Sequence, residues 1–286
     1  MTTQAPTLAV TGSTGALGGL VARGLAAQGV EQRLLVRSAG RAPDLAGAHV
    51  VEFPGYGDRA AAVAALAGVR TLLMVSGAES AERLEQHRTF VDAAAEAGVG
   101  HVVYTSFQGA APDCTFTLGR DHHATEAHLR ASGLTTTFLR DSFYLDFLPD
   151  MAGEDGVIRG PAGDGRVAAV ARADVARSAV EVLLDPAAHA GATYDLTGPE
   201  ALTMTEVAET ITNATGRTVT FHDETLEEAY ASRRRWEAPQ WQYDAWVSTY
   251  VAMARGEVAA VSGDVARLTG REPTSLAGLL AERAAG

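Results

Sequence analysis

The segment Leu8-Ala9-Val10-Thr11-Gly12-Ser13-Thr14-Gly15-Ala16-Leu17-Gly18 passes from strand-forming residues into three evenly spaced glycines, and then into helical periodicity. Behind it, Leu17, Leu20, Val21 and Leu25 recur at the spacing of one helix face. A strand that enters a glycine-rich turn and opens an amphipathic helix is suited to holding a dinucleotide pyrophosphate. Gly12 permits the tight turn, Gly15 lets backbone approach the phosphates, and Gly18 lets the helix pack closely on the strand. The phosphates then meet the free N–H groups and positive dipole end of the helix. The run Gly12, Ser13, Thr14, Gly15, Ala16, Leu17 and Gly18 is therefore the expected cofactor loop.

Working outward, short β-branched runs alternate with helical stretches. Candidate strands are Leu8–Thr11, Arg33–Val36, His49–Phe53, Thr71–Val75, His101–Thr105 and Thr135–Leu139. Leu84, Phe90, Val91 and Ala94 mark one intervening helix, and Gly29, Gly98 and Gly133 stand where helices should stop. This alternation predicts an α/β fold of Rossmann type, a doubly wound parallel sheet with a smaller C-terminal substrate-side subdomain. The expected division is residues 1–150 for dinucleotide binding and 151–286 for a mainly helical subdomain, with a strand near 193–196 returning to the main sheet. The segment Asp150–Arg166 reads as an excursion from the sheet, and Arg172–Asp185 as a helix.

Composition narrows the partners. The 286 residues are 47% apolar, enough for a substantial core. All 23 basic residues are arginine, and the net charge of −12 disfavours nucleic acid. Cys114 is the single cysteine, which excludes an internal disulfide and a multi-cysteine metal site; no metal centre is expected. Met1–Thr7 is short and polar and no stretch approaches the roughly 18 apolar residues of a membrane span, so the expectation is a cytoplasmic protein without a membrane partner.

The end of the second strand reads Leu34-Leu35-Val36-Arg37-Ser38. An acidic residue there would bind the adenosine ribose of NAD, whereas Arg37, with Ser38 and Arg41 as helpers, suits the 2′-phosphate of NADPH. NADPH is thus the expected cofactor, with NADH not excluded. Beyond the ends of later strands, Asp58 could flank adenine, Ser76 and Gly77 the ribose, and Thr105 and Phe107 the remainder of the cofactor.

The Gly-x-x-Gly-x-x-Gly spacing resembles that of extended and atypical short-chain dehydrogenases. Many enzymes of that superfamily use a Tyr-x-x-x-Lys pair, in which lysine lowers the tyrosine pKa so that the phenol passes a proton. Without lysine that pair cannot exist here, although Ser106 occupies the superfamily's serine position. Four segments resemble the NmrA-like family, particularly its NAD(P)H quinone oxidoreductase branch. They are the glycine loop, the helix His122-His123-Ala124-Thr125-Glu126 continuing to Gly133, the turn Leu139-Arg140-Asp141-Ser142-Phe143-Tyr144, and Leu268-Thr269-Gly270-Arg271-Glu272-Pro273. The resemblance implies that His122 lies beside the nicotinamide and that Arg140 to Tyr144 line the adjoining pocket. Asp141-Ser142 depart from the family's usual glycine. The catalytic candidates are accordingly His122, Tyr144 and Ser106, and the substrate candidates are Phe107, Asp141, Phe143, Tyr144 and Trp241.

His122, Glu126 and Leu129 share a helix face, and the first two are spaced for a hydrogen-bonded pair. His123 and His128 point elsewhere and are expected in solvent. Trp236, Trp241, Tyr243, Trp246 and Tyr250 crowd one stretch, suited to a lid over a flat aromatic ligand, to a core or to a homodimer contact. The preceding Arg233-Arg234-Arg235 reads as a solvated helix face. Three functions are compatible with these features. One is hydride transfer to a small aromatic or quinone substrate; the second is the reductive component of aromatic polyketide hydroxylation; the third is non-catalytic sensing of NAD(P).

Overall fold

The computed structural model describes residues 5–285. The chain forms two compact units and crosses between them several times, so no single boundary separates them. Unit 1 holds the chain up to Ser106 with Asp121–Arg140 and Val175–Tyr194, and unit 2 holds Phe107–Arg120, Asp141–Asp174 and the chain from Asp195.

Unit 1 is built on a seven-stranded sheet. In chain order its strands and helices are β1 (Leu8–Thr11), α1 (Ala16–Ala27), β2 (Gln32–Val36), β3 (Ala48–Glu52), α2 (Arg59–Leu66), β4 (Thr71–Met74), α3 (Arg83–Glu96), β5 (His101–Phe107), α4 (Thr117–Ala131) and β6 (Thr135–Asp141). The order across the sheet is β3-β2-β1-β4-β5-β6-β9, where β9 is Thr193–Leu196. The pairs from β3 to β5 are parallel, with Ala9 opposite Arg33 on one side and Leu72 on the other. The order turns about β1 and β4, which is the switch point where such sheets bind ligands. As expected from the sequence, the late strand returns to this sheet, and Phe138 N donates to Ala192 O at 3.0 Å.

Burial explains why these runs are continuous rather than alternating. All of β1, β2 and β5 is buried, as befits strands covered by helices on both faces. Edge strand β3 is partly exposed along its length. Phe90, Tyr104 and Leu129 from α3, β5 and α4 fill one layer of the core. Arg33, a charge inside β2, is tolerated because its guanidinium donates to the carbonyls of Ala65, Ala67 and Pro6. The expected helix stops, Gly29, Gly98 and Gly133, all adopt left-handed backbone.

Unit 2 adds β7 (Val157–Gly160), β8 (Arg166–Val167), the start of α5 (Arg172–Leu184), β10 (Leu202–Thr203), α6 (Met204–Thr215), β11 (Thr220–Asp223), α7 (Leu226–Arg233), α8 (Gln240–Ala254), α9 (Asp264–Thr269) and α10 (Leu276–Ala285). The excursion after Leu139 contains a 3-10 turn, Leu145–Met151, then β7, which pairs in parallel with β11. Thr203 and Glu206 form a reciprocal cap at the start of α6. Ile158, Val207, Met253 and Leu276 lie in the unit's own core. The arginine run at the end of α7 differs from expectation. Arg233 is buried beside Glu224, donates to Arg159 O at 2.8 Å, and lies over the Tyr250 ring. A partner on β11's outgoing loop, invisible to local charge patterning, pulls the first arginine inward.

Candidate active site

A cleft of about 680 Å³ lies in unit 1 at the switch point. Its floor is the glycine loop. Gly12 has a φ of +66°, and a Cβ at Gly18 would stand 2.4 Å from Gly12 O and 2.7 Å from Thr11 O. No side chain can therefore replace that hydrogen without separating α1 from β1. Helix α1 is preceded by Gly15 at its N-cap, with no side-chain cap and no acidic residue in its first turn, leaving its first N–H groups for a ligand. Helix α2 offers a contrast, since Asp58 caps it by accepting from Ala61 N at 2.9 Å.

Of the expected cofactor residues, Gly12, Thr14, Gly15, Ala16, Leu17, Gly18, Arg37, Asp58, Ser76 and Gly77 line this cleft. Among the described residues, Ser13 Oγ is buried without a hydrogen-bond partner, and Ser80 Oγ on the cleft wall is likewise buried and without one. Ser38 and Arg41 are exposed outside the lining, and Thr105 acts one layer back, its Oγ1 accepting from Ser76 N at 2.8 Å. Arg37 is exposed on the rim. A glycine cradle, an uncapped helix start, orphaned hydroxyls and a rim arginine fit a phosphorylated dinucleotide.

The cleft wall at Tyr56 and Gly77 is backed by a polar network that periodicity did not reveal. Tyr56 stacks on Phe90 at 4.2 Å, and its hydroxyl lies 2.6 Å from both Thr11 Oγ1 and Val75 O. The Gly77 peptide is gripped on both sides: its N–H donates to His87 Nε2 at 2.8 Å, and its carbonyl accepts from Arg83 Nε at 3.0 Å. Since His87 Nε2 accepts, its proton resides on Nδ1, which donates to Thr125 Oγ1 at 2.9 Å; Thr125 in turn donates to Asp121 O. Burial, reinforced by the Arg83 charge, lowers the His87 pKa to about 3.

His122 belongs to the same network. Arg83 Nη2 lies 2.9 Å from its Nε2, and Tyr104 Oη lies 3.0 Å from its Nδ1. An arginine can only donate, so Nε2 accepts and the single imidazole proton faces Tyr104. Burial first, then the charges of Arg83 and His87, hold His122 well below the usual histidine range. Burial likewise raises Tyr104 above the ordinary phenol value. His122 is thus a neutral ring fixed at both nitrogens.

The spacing of His122 and Glu126 suggested a pair, but stronger donors claim the carboxylate. Arg140 on β6 approaches it with two bonds, at 2.8 and 2.7 Å; Ser106 on β5 donates at 2.6 Å and Arg130 at 3.0 Å. His122, Glu126 and Leu129 do share a buried face, as the helical spacing implies. Burial pushes the Glu126 pKa up, but the hydrogen bonds from Arg140 and Ser106 and the charges of Arg140 and Arg130 outweigh it, leaving it lowered. The proton of Ser106, one of the catalytic candidates, is consequently committed to a carboxylate in this structure. His123 is half-buried, and His128, expected in solvent, bonds Asp92 at 2.7 Å.

In unit 2, Tyr144 Oη donates to Asp141 Oδ2 at 2.6 Å, and Arg172 lies over the phenol ring at 4.8 Å. Burial and the adjacent Asp141 raise the Tyr144 pKa well above its ordinary value. Its proton too is committed, so a freely offered tyrosine hydroxyl is not what the turn provides. Phe107, Phe116 and Phe143 form a three-ring cluster with centroids 4.8 to 5.2 Å apart. Trp241 is half-buried on α8 and contributes neither to that cluster nor to the aromatic cavity of this unit, whose tryptophans are Trp236 and Trp246.

The model of the NmrA-like family matches residues 4–234. The chain belongs to that family. Among relatives, it is 34% identical over 276 residues to quinone oxidoreductase 2 of Escherichia coli (strain K12), covering 94% of this chain and 96% of the relative. It is 31% identical over 272 residues to the NAD(P)H azoreductase of Xenophilus azovorans, covering 94% of each. Among solved structures, the NADPH-dependent quinone oxidoreductase of Escherichia coli complexed with NADPH superposes with a TM-score of 0.87 at 33% identity, over 96% of this chain and 99% of that one.

Sequence reasoning missed Arg83, His87, Tyr104 and Tyr56 in this NmrA-like chain. Arg83 and His87 lie on one face of α3, four residues apart, in a stretch whose mean character is polar. Two buried polar residues on a helix face that is otherwise apolar was the only available signal, and it does not say which partners they meet.

Proposed function

We propose that the protein is an NAD(P)H-dependent reductase that passes hydride to a quinone or a related conjugated aromatic acceptor. The observation that carries this reading is the commitment of every candidate proton. Ser106 donates to Glu126, Tyr144 donates to Asp141, the His122 proton faces Tyr104, and no lysine exists in the chain. A reduced nicotinamide, when bound, supplies the hydride. The backbone of Gly12 to Gly18 and the start of α1 hold the pyrophosphate, and Arg37 selects the 2′-phosphate of NADPH. Arg83 and His87 fix the Gly77 peptide that forms part of the cleft wall, and Arg83 also fixes the His122 ring.

The acceptor must then tolerate a site that gives no proton of its own. Hydride addition to an ordinary ketone leaves an alkoxide with a conjugate-acid pKa near ~16, whereas addition to a quinone leaves a phenolate with pKa near ~10. The gap of about six units is roughly 8 kcal/mol, much of what an acid and an oxyanion site together supply. A quinone accepts hydride as two electrons and one proton equivalent, and water delivers the second proton to give the hydroquinone. The identity of the relatives as quinone and azo reductases supports the same class of acceptor.

The test is the loss of reduced-nicotinamide absorbance with NADPH and NADH against naphthoquinones, larger fused quinones and aliphatic ketones. Turnover with quinones and not with ketones is expected. Efficient reduction of an unconjugated ketone, with quinones inert, would overturn the proposal.

A further inference from the structure

Unit 2 contains a cavity of about 380 Å³ made entirely from its own residues. Trp236 and Trp246 meet edge to face there, with ring centroids 6.0 Å apart, and Tyr250 of α8 completes an aromatic wall. Phe147 and Met151, from the turn after Tyr144, face the cavity as well. Phe147 is 56% exposed and Trp236 is 48% exposed, so two large apolar side chains stand open to solvent around a hollow. Aromatic side chains around a hollow that opens to solvent suit a flat aromatic guest.

Charge gives the guest its sign. In a chain with 35 acidic and 23 basic residues, this lining holds Arg159, Arg233 and Arg235 against the single carboxylate of Asp150. Two of the arginines are engaged: Arg159 with Asp155 at 2.7 Å, and Arg233 with Glu224. Arg235 differs, because its guanidinium lies 4.0 Å from the Trp236 ring centroid and, among the described residues, has no carboxylate partner. A guanidinium held on an indole face is oriented while its N–H groups stay available to an anion.

We propose that this cavity binds a planar aromatic anion of two or three fused rings, with the rings against Trp236, Trp246 and Tyr250 and the acidic group on Arg235. The volume suits a molecule of that size and is at the small end for a ligand site. With Arg159 and Arg233 neutralised by Asp155 and Glu224, Arg235 is the lining guanidinium left to meet the guest, and it favours an anion over a cation. The site has none of the glycine-rich helix start that marks the dinucleotide cleft, and its binding function does not depend on the reductase reading.

The experiment titrates the intact protein, without cofactor, with naphthalene-2-sulfonate, followed by quenching of tryptophan fluorescence and by calorimetry. Naphthalene-2-methanol and the naphthylmethylammonium cation serve as uncharged and cationic counterparts. The expected result is saturable one-to-one binding of the sulfonate, at least tenfold weaker binding of the alcohol, and none of the cation. Arg235→Glu should weaken the sulfonate at least tenfold and Trp246→Ala comparably. Arg234→Glu, which makes the same charge change at an exposed neighbour, should alter it less than twofold. Retained NADPH affinity in each variant verifies the fold. Equal binding of all three naphthalenes, equal effects of the two arginine variants, displacement of the sulfonate by NADPH, or absence of saturable binding would each overturn the proposal. None of these outcomes bears on quinone turnover, so the two readings fail separately.

Discussion

Replacing His87 by glutamine should change how the protein responds to acid while leaving its neutral structure nearly intact. The glutamine amide can accept from Gly77 N–H and donate to Thr125 Oγ1, the two bonds His87 makes, but it cannot titrate. In the unfolded chain His87 titrates near 6.5, and in the folded protein near 3. Between those values the unfolded state holds a proton that the folded state lacks, so unfolding becomes easier as pH falls. The full shift corresponds to roughly 5 kcal/mol, and the part spent between pH 6.5 and 5 to about 2 kcal/mol. Urea unfolding of wild type and His87→Gln at pH 7, 6 and 5 measures it directly. The stability of the wild type relative to the variant should fall by about 2 kcal/mol over that range. His122 contributes acid sensitivity of the same sign to both proteins and cancels in the comparison. Parallel stability curves would show that His87 is not held neutral by its surroundings, and the whole assignment of protons through Thr125 and Gly77 would fall with it.

Two further outcomes probe the cleft and the buried carboxylate. Arg37→Asp should weaken NADPH by about 1.5–3 kcal/mol, roughly 10- to 150-fold, and spare NADH, as read by binding titrations with both cofactors; equal losses would remove Arg37 from the 2′-phosphate. Glu126→Gln should destabilise the fold by about 3–5 kcal/mol, seen as a lower urea midpoint with unchanged slope, because Arg140 would be left without its counter-charge beside a fully buried site.

The sequence by itself determined the strand, glycine turn and helix at the N-terminus, the near-continuous apolar strands and the helix-ending glycines. These follow from local rules: backbone that only glycine adopts, spacing that only a helix or strand buries, and contacts between neighbours along the chain. The absence of lysine, and with it the loss of one proton relay, was also legible there. Tertiary structure alone decided who satisfies the buried polar groups. Arg83 meets His122 across 39 residues and His87 meets Thr125 across 38, while Ser106 and Arg140, from two strands, take the Glu126 carboxylate that His122 could have claimed from one turn away. Helical spacing shows which side chains turn inward. A buried charge or imidazole then takes the best donor that folding brings to it, and two arginine bonds to a carboxylate outweigh a neutral ring nearby, so neither the partner nor the proton's location could be read from the residues in order.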